Sequence, residues 1–313
     1  MHSKILCIGS ILIDELFFCE EPVLHGTSNP ARMQRHIGGV ISNIAIHLRQ
    51  LGQHVSLISA LGNDSDASWI KQHFCEKDID LSDSMYVDGP TGRFTALLQP
   101  DGNLFTAACM DPVGSLLNVD FLQLHSEKLQ TSDLIVMDTN VSKEVMQWVI
   151  DFCNSHQKKL IIETVSVAKA RKLVDLNLNG IFMISPNEDE LISLQAKSLS
   201  EIQAIETLRK KGVQHIWVKK GKRGSVFYDA QTAFELPGLQ VNVTDTTGAG
   251  DAALAAWIAG YCHQLPHKSC VQLGHLMAAE ILKINGTVHE GITFATLLNQ
   301  KELIYGTESI SPM

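Results

Sequence analysis

The chain has 313 residues, a formal net charge of −9 and a sequence pI near 5.8. It is long enough for one large α/β domain or two ordinary ones, and its acidic balance argues against non-specific binding to nucleic acid or anionic lipid. The 7 cysteines are scattered and form no C-x-x-C, and the 13 histidines contain no H-E-x-x-H. Neither a disulfide framework nor a zinc site is therefore expected, and a reducing, cytoplasmic setting is.

In chain order, Lys4 followed by the apolar residues 5–13 imitates a signal-peptide core. Asp14 and Glu15 stand where a small-residue cleavage site belongs, so 5–13 is expected to be a buried strand. Further short apolar runs at 55–60, 134–137, 160–162, 181–184 and 216–218 also read as strands. Amphipathic segments at 42–51, 143–152, 188–194 and 200–210 alternate with many of them. This alternation predicts a mostly parallel sheet with helices on both faces. Two stretches, 15–37 and 86–110, break the pattern with turn signals and short alternating strands. The second predicts a hairpin, 93–99 and 104–109, turning at Pro100-Asp101-Gly102-Asn103. The two are expected to form a small β lid on a single domain spanning 1–313. The apolar run after Asp251 is too short for a bilayer, which needs about 20 residues.

The motifs fall at strand ends, where open α/β sheets bind ligands. The first strand runs into Asp14, whose carboxylate could accept hydrogen bonds from two neighbouring sugar hydroxyls. Gly38-Gly39 then opens a helix with Asn43 in its first turn or so, offering a donor and an acceptor to a polyol. Asn187-Glu188-Asp189-Glu190 reads as a capping-box variant. Alternatively Asn187 touches phosphate and Glu190 holds water around magnesium. In Lys219-Lys220-Gly221-Lys222-Arg223-Gly224, a glycine-bracketed basic turn, Lys219 could reach a nucleotide phosphate. The most specific stretch is Thr244-Asp245-Thr246-Thr247-Gly248-Ala249-Gly250-Asp251 before an apolar helical run. Free N–H groups and a helix dipole converge there, and the glycines let an anion approach. Asp251 lies in the first turn, placed to take a proton from a hydroxyl beside that anion, as phosphoryl transfer requires. The dipole is expected to depress its pKa.

Together these motifs resemble the ribokinase-like (PfkB) carbohydrate and nucleoside kinases, in the family's order and over nearly the whole chain. The resemblance implies a three-layer α/β/α sandwich and phosphorylation of a sugar hydroxymethyl group with ATP and Mg2+. Asp251 would be the base and Gly248, Ala249 and Gly250 the anion hole. Asp14, Gly39 and Asn43 would hold the sugar, and Asn187, Lys219, Gly221 and Gly224 the nucleotide, with Glu190 serving the metal through water. A monovalent cation near 244–247 and a homodimer through the lid are family habits. Within the family, Asp138-Thr139-Asn140 and Glu163-Thr164-Val165-Ser166-Val167-Ala168-Lys169 resemble the pseudouridine kinase group, implying base contacts from Asn140, Ser166, Lys169 and the lid's Thr95. Thr164 replaces that group's usual proline, and Cys109 stands where an Asp commonly precedes Met. Two rivals remain. Gly248–Ala253 also satisfies G-x-G-x-x-A, but a dinucleotide fold expects a further strand ending in an acid, and 269–283 reads as helix. A catalytically idle sugar binder would have no need of Asp251.

Overall fold

The computed structural model describes residues 3–195, 200–230 and 232–306. Its strands are β1 (Lys4–Ile8), β2 (Leu12–Cys19), β3 (Ala31–Gly38), β4 (His54–Ile58), β5 (Ala60–Gly62), β6 (Met85–Val87), β7 (Arg93–Leu98), β8 (Leu104–Met110), β9 (Leu134–Asp138), β10 (Lys159–Glu163), β11 (Ile181–Ile184), β12 (His215–Lys219), β13 (Ser225–Tyr228) and β14 (Ala233–Leu236). Eight of them form one sheet in the order β14-β13-β12-β11-β10-β9-β1-β4. From β4 to β12 the pairing is parallel, and β13 and β14 add antiparallel.

Strand β1 shows why the sheet lies between two helical layers. Ile5 and Cys7 enter one hydrophobic core, Leu6 and Ile8 the other. A strand buried on both faces needs an unbroken apolar run, as these residues supply. One core is filled by Ile44 and Leu48 of the helix Val40–Gln50 and by Leu254 and Trp257 of the helix Ala249–Cys262. The other takes Val145 and Val149 of Lys143–Ser155 and Ile205 and Leu208 of Glu201–Lys210. The architecture is the expected three-layer one.

A second sheet, β3-β2-β7-β8, contains the hairpin. Three details differ from the sequence expectation. The run 5–13 is not one strand: β1 ends at Ile8, and β2 starts the second sheet at Leu12. The break falls at Gly9, where any Cβ would overlap the Asp138 carboxylate. Likewise 55–60 divides between β4 and β5, and Met85–Val87 pairs with β5 instead of joining the second sheet. On one face of that sheet Arg35 and Arg93 alternate with Glu15 and Asp66, and Asp66 belongs to the helix Ser65–Glu76. This four-member ion network ties the small sheet to the body.

The helix Ala249–Cys262 is buried from Ala252 through Gly260 because the helices Val40–Gln50 and His267–Ile281 pack on it. The next element in the chain is the helix His267–Ile281, with no strand between the two. The dinucleotide-fold rival therefore lacks the strand it requires.

Candidate active site

The C-terminal ends of β9, β10 and β12 carry Asp138, Glu163 and Lys219, and the helices Val40–Gln50 and Ala249–Cys262 start beside them. Gly248, the N-cap of the second helix, has φ +75° and provides no side-chain cap. A side chain there would be strained and would press on Thr287. The first N–H groups of the helix thus stay available to an anion. Gly39 caps the other helix at φ +98°, pressed against the Ser10 carbonyl.

Asp251 is buried at this helix start. Its Oδ2 accepts a hydrogen bond from Asn43 Nδ2 at 2.9 Å, and Asn43 Oδ1 accepts one from Thr287 Oγ1 at 3.1 Å. Burial pushes the Asp251 pKa up to about 7, and the neighbouring Glu163 carboxylate adds to the rise, while Asn43 and Lys219 oppose it. The expected depression by the helix dipole is thus reversed. Removal from water costs a carboxylate more than one helix terminus returns. Asn43, expected on the sugar, has its amide committed to holding Asp251. Replacing Thr287 by Val should free that amide. One hydrogen bond is worth about 0.5–1.5 kcal/mol, so kcat should fall about 2- to 10-fold with little change in KM. Steady-state kinetics check this, and a change confined to KM would show that Thr287 acts elsewhere.

Asp14 lies against Gly38, where a Cβ would overlap its carboxylate, and burial raises its pKa to about 6. Asp138, fully buried, is raised to about 6 by the same cause, although Asn140 donates both its N–H and its Nδ2 to it at 2.9 Å. Lys169 acts electrostatically on both Asp138 and the Cys109 thiol, and Asp14 and Asp111 also act on that thiol. Lys169, Asp14 and Asp111 are thus near enough to Cys109 to bear on its charge, and Lys169 near enough to bear on that of Asp138. Phe94 pairs with Asp14 and with Cys109 across the small sheet, so these three share a face. Thr95 pairs with Glu15 and points to the opposite face, with the ion network. The structure does not bring Thr95 to the cleft. Ser166 accepts a hydrogen bond from Lys169 N as the cap of the short helix Val167–Ala170. Just before it, Val165 has φ +62° and Ser166 N donates to Thr164 O at 2.6 Å, a tight turn strained for a β-branched residue.

On the nucleotide side, Lys219 Nζ donates to both Glu163 oxygens at 3.1 and 2.9 Å. It also sits 3.5 Å from where a Gly250 Cβ would be, directly over the helix start. Asn187 and Glu190 form the capping box, and Thr164 Oγ1 donates to the same Glu190 Oε2 at 2.7 Å. One oxygen of Glu190 is thereby committed. Gly221 has φ +55° and open space around it, whereas Gly224 is pressed against the backbone of Leu236–Gly238. The absent side chain at Gly224 thus serves packing, in contrast to its expected place at the nucleotide. Thr287 had no part in the sequence reading, and Asp138 and Glu163 entered it only as the first residues of two motifs, with no role of their own. The signal for those two was an acid closing each of two consecutive buried strands; Thr287 left none.

The family model described as "pfkB family carbohydrate kinase" matches residues 2–291, and the chain belongs to that family. It is 25% identical over 305 residues to the pseudouridine kinase of Escherichia coli strain K12, covering 95% of this chain and 96% of that protein. It is 26% identical over 297 residues to the guanosine-inosine kinase of Exiguobacterium acetylicum, covering 92% and 98%. Ribokinase of Arabidopsis thaliana, solved with ribose and ATP, shares the fold with a TM-score of 0.85 at 20% identity, over 96% of this chain and 98% of that one. The protein is a phosphotransferase acting on a hydroxyl of a small sugar or nucleoside, with ATP as the donor its family uses. No helix among the described residues is long and apolar enough to cross a membrane.

Proposed function

We propose that the protein phosphorylates the 5′-hydroxyl of pseudouridine to give pseudouridine 5′-phosphate. The observation that carries the reading is Asp251, buried, titrating near 7, and placed between an uncapped helix start and Lys219. A base titrating near the working pH combines ionisation with basicity. The hydroxyl proton passes to Asp251, the substrate oxygen bonds to the γ-phosphorus, and the bond to the bridging oxygen breaks to release ADP. The N–H groups of Gly248 to Asp251 and the Lys219 ammonium stabilise charge developing on the γ-phosphoryl oxygens.

The residues fit the nucleotide end of this scheme: free helix N–H groups, a lysine over Gly250 and the open turn at Gly221. Mg2+, held through water by the free oxygen of Glu190, would supply charge neutralisation on the phosphates. A monovalent cation near 244–247 belongs to the same reading. So does closure of the small sheet over the sugar, excluding water as a competing acceptor, and so does pairing of two copies through that sheet's edge.

Asp14 suits vicinal hydroxyls. The choice of base rests on the segments 138–142 and 163–170 and on the resemblance to the E. coli enzyme. A C-linked uracil exposes an N–H that uridine lacks, and recognising it takes an acceptor. Among the described hydrogen bonds none uses Asn140 Oδ1, which is available for that N–H. The reaction is tested by ³¹P NMR of ATP incubated with pseudouridine and enzyme. A phosphomonoester coupled to the 5′ methylene protons is expected, and ADP formed without that ester would contradict the proposal.

A further inference from the structure

At the opposite end of the sheet from Asp251, three metal-ligating side chains meet. His215 opens β12, Asp229 comes directly after β13, and His267 opens the helix His267–Ile281. Their ligand atoms all lie within 4.8 Å of one another, and no other such trio of His, Cys, Asp or Glu occurs among the described residues. Lys219, at the catalytic end of β12, is four residues and about 13 Å along the strand from His215. The trio is therefore a separate place in the molecule.

Its geometry suits a metal better than a simple ion pair. His215 Nδ1 is 3.2 Å from Asp229 Oδ1, and two ligands of one tetrahedral zinc stand about 3.3 Å apart at zinc–ligand distances of about 2.0–2.1 Å. The two atoms are close but not aligned for a hydrogen bond, and a cation shared between nitrogen and carboxylate accounts for that arrangement. The rings of His215 and His267 stand perpendicular with centroids 4.6 Å apart, against Phe227 and Trp257. Arg209 donates to the Asp229 backbone carbonyl and not to its carboxylate; Oδ1 of that carboxylate accepts the Ala230 N–H at 2.6 Å, and no described hydrogen bond uses Oδ2. The Asp229 side chain is 42% exposed, which leaves an entry path.

We infer that His215, Asp229 and His267 form a binding site for a divalent transition ion of the zinc type, with water completing the coordination. Two imidazoles and a carboxylate are a zinc-type donor set, unlike the all-oxygen set that magnesium takes. The ion would fasten the β12–β13 hairpin to the helix His267–Ile281, which packs on the helix carrying Asp251. Occupancy would therefore be read as stability of the fold.

The test uses the full chain, freed of metal by chelator and titrated with Co2+, followed by its visible absorption, and with Zn2+, followed by calorimetry and Tm. One Co2+ or Zn2+ per chain is expected, with a rise in Tm. Asp229→Asn and His267→Ala should each weaken binding at least about 10-fold and abolish the rise in Tm. The amide of D229N keeps the size of the carboxylate, so it remains informative if H267A folds poorly. Cys75 and Cys109 are exposed thiols that could also take zinc, and the variants separate the two sources. Equal affinity in the parent and D229N, or no saturable binding of either ion, would overturn the site.

Discussion

Asp251→Asn should lower kcat by about 10²- to 10⁴-fold, the usual contribution of a positioned base, with nucleoside binding retained. The amide keeps the shape of the carboxylate and can still accept from Asn43 Nδ2. The same variant should melt higher than the parent at pH 8. Folding raises the pKa of Asp251 from its ordinary 3.8 to about 7, so the native state holds that proton more tightly than the unfolded chain does. The corresponding stability is fully present below about 3.8 and is lost as pH rises through about 7. An asparagine never ionises and escapes that loss. A slow enzyme with a higher Tm is thus the paired result. Near-parental kcat would remove Asp251 from the base role, and a lower Tm at pH 8 would contradict the cost assigned to burying its charge.

Lys219→Met carries the other large effect, on both stability and turnover. Lys219 and Glu163 form a pair of which Glu163 is almost fully buried. Removing one partner of such a pair costs about 3–5 kcal/mol, because the remaining charge is left without compensation. The ammonium over Gly250 also stabilises the transferring phosphoryl group, so kcat/KM for ATP should fall by about 10²–10³. The double variant Lys219→Met, Glu163→Gln separates these effects: most of the stability should return while turnover stays low. The pH profiles divide them again. Activity in the parent should fall as pH drops through about 7, where Asp251 takes up its proton. Glu163 raises that pKa and Lys219 lowers it. Glu163→Gln should therefore move the acid limb to lower pH, and Lys219→Met to higher pH. An unmoved limb in both variants would mean that the limb belongs to another group.

How much of this was legible in the sequence depended on whether the cause was local. The stretch 244–251 declares its chemistry in one dimension, because glycines, an acid and an apolar run fix the helix start and its anion pocket together. Most of the parallel strands were visible as apolar runs for a similar reason, since each is buried on both faces. The end of β1 was not visible. Residues 5–13 are apolar on both sides of the point where the chain changes sheets, and the break at Gly9 is set by Asp138, far along the chain. Nor could Thr95 be oriented. Its face is set by the pairing of Ile13 with Arg93, and Phe94-Thr95-Ala96-Leu97 has no clear polar alternation. The raised pKa of Asp251 was hidden as well, since it arises from burial and from Glu163. Thr164 shows the same limit: the hydroxyl standing where proline is usual donates to Glu190, a contact that exists only once β10 and the helix Glu188–Ser193 are neighbours.

The most direct test of the account is competition for phosphoryl transfer among pseudouridine, uridine, ribose and adenosine, supplied together at equal concentration with ATP and Mg2+ and read as relative kcat/KM. Each buried polar group left unpaired by the wrong base costs about 1–3 kcal/mol. Pseudouridine should therefore be preferred over uridine by about 10- to 100-fold, and Asn140→Ala should erase most of that margin. Higher kcat/KM for ribose or adenosine would contradict pseudouridine as the substrate.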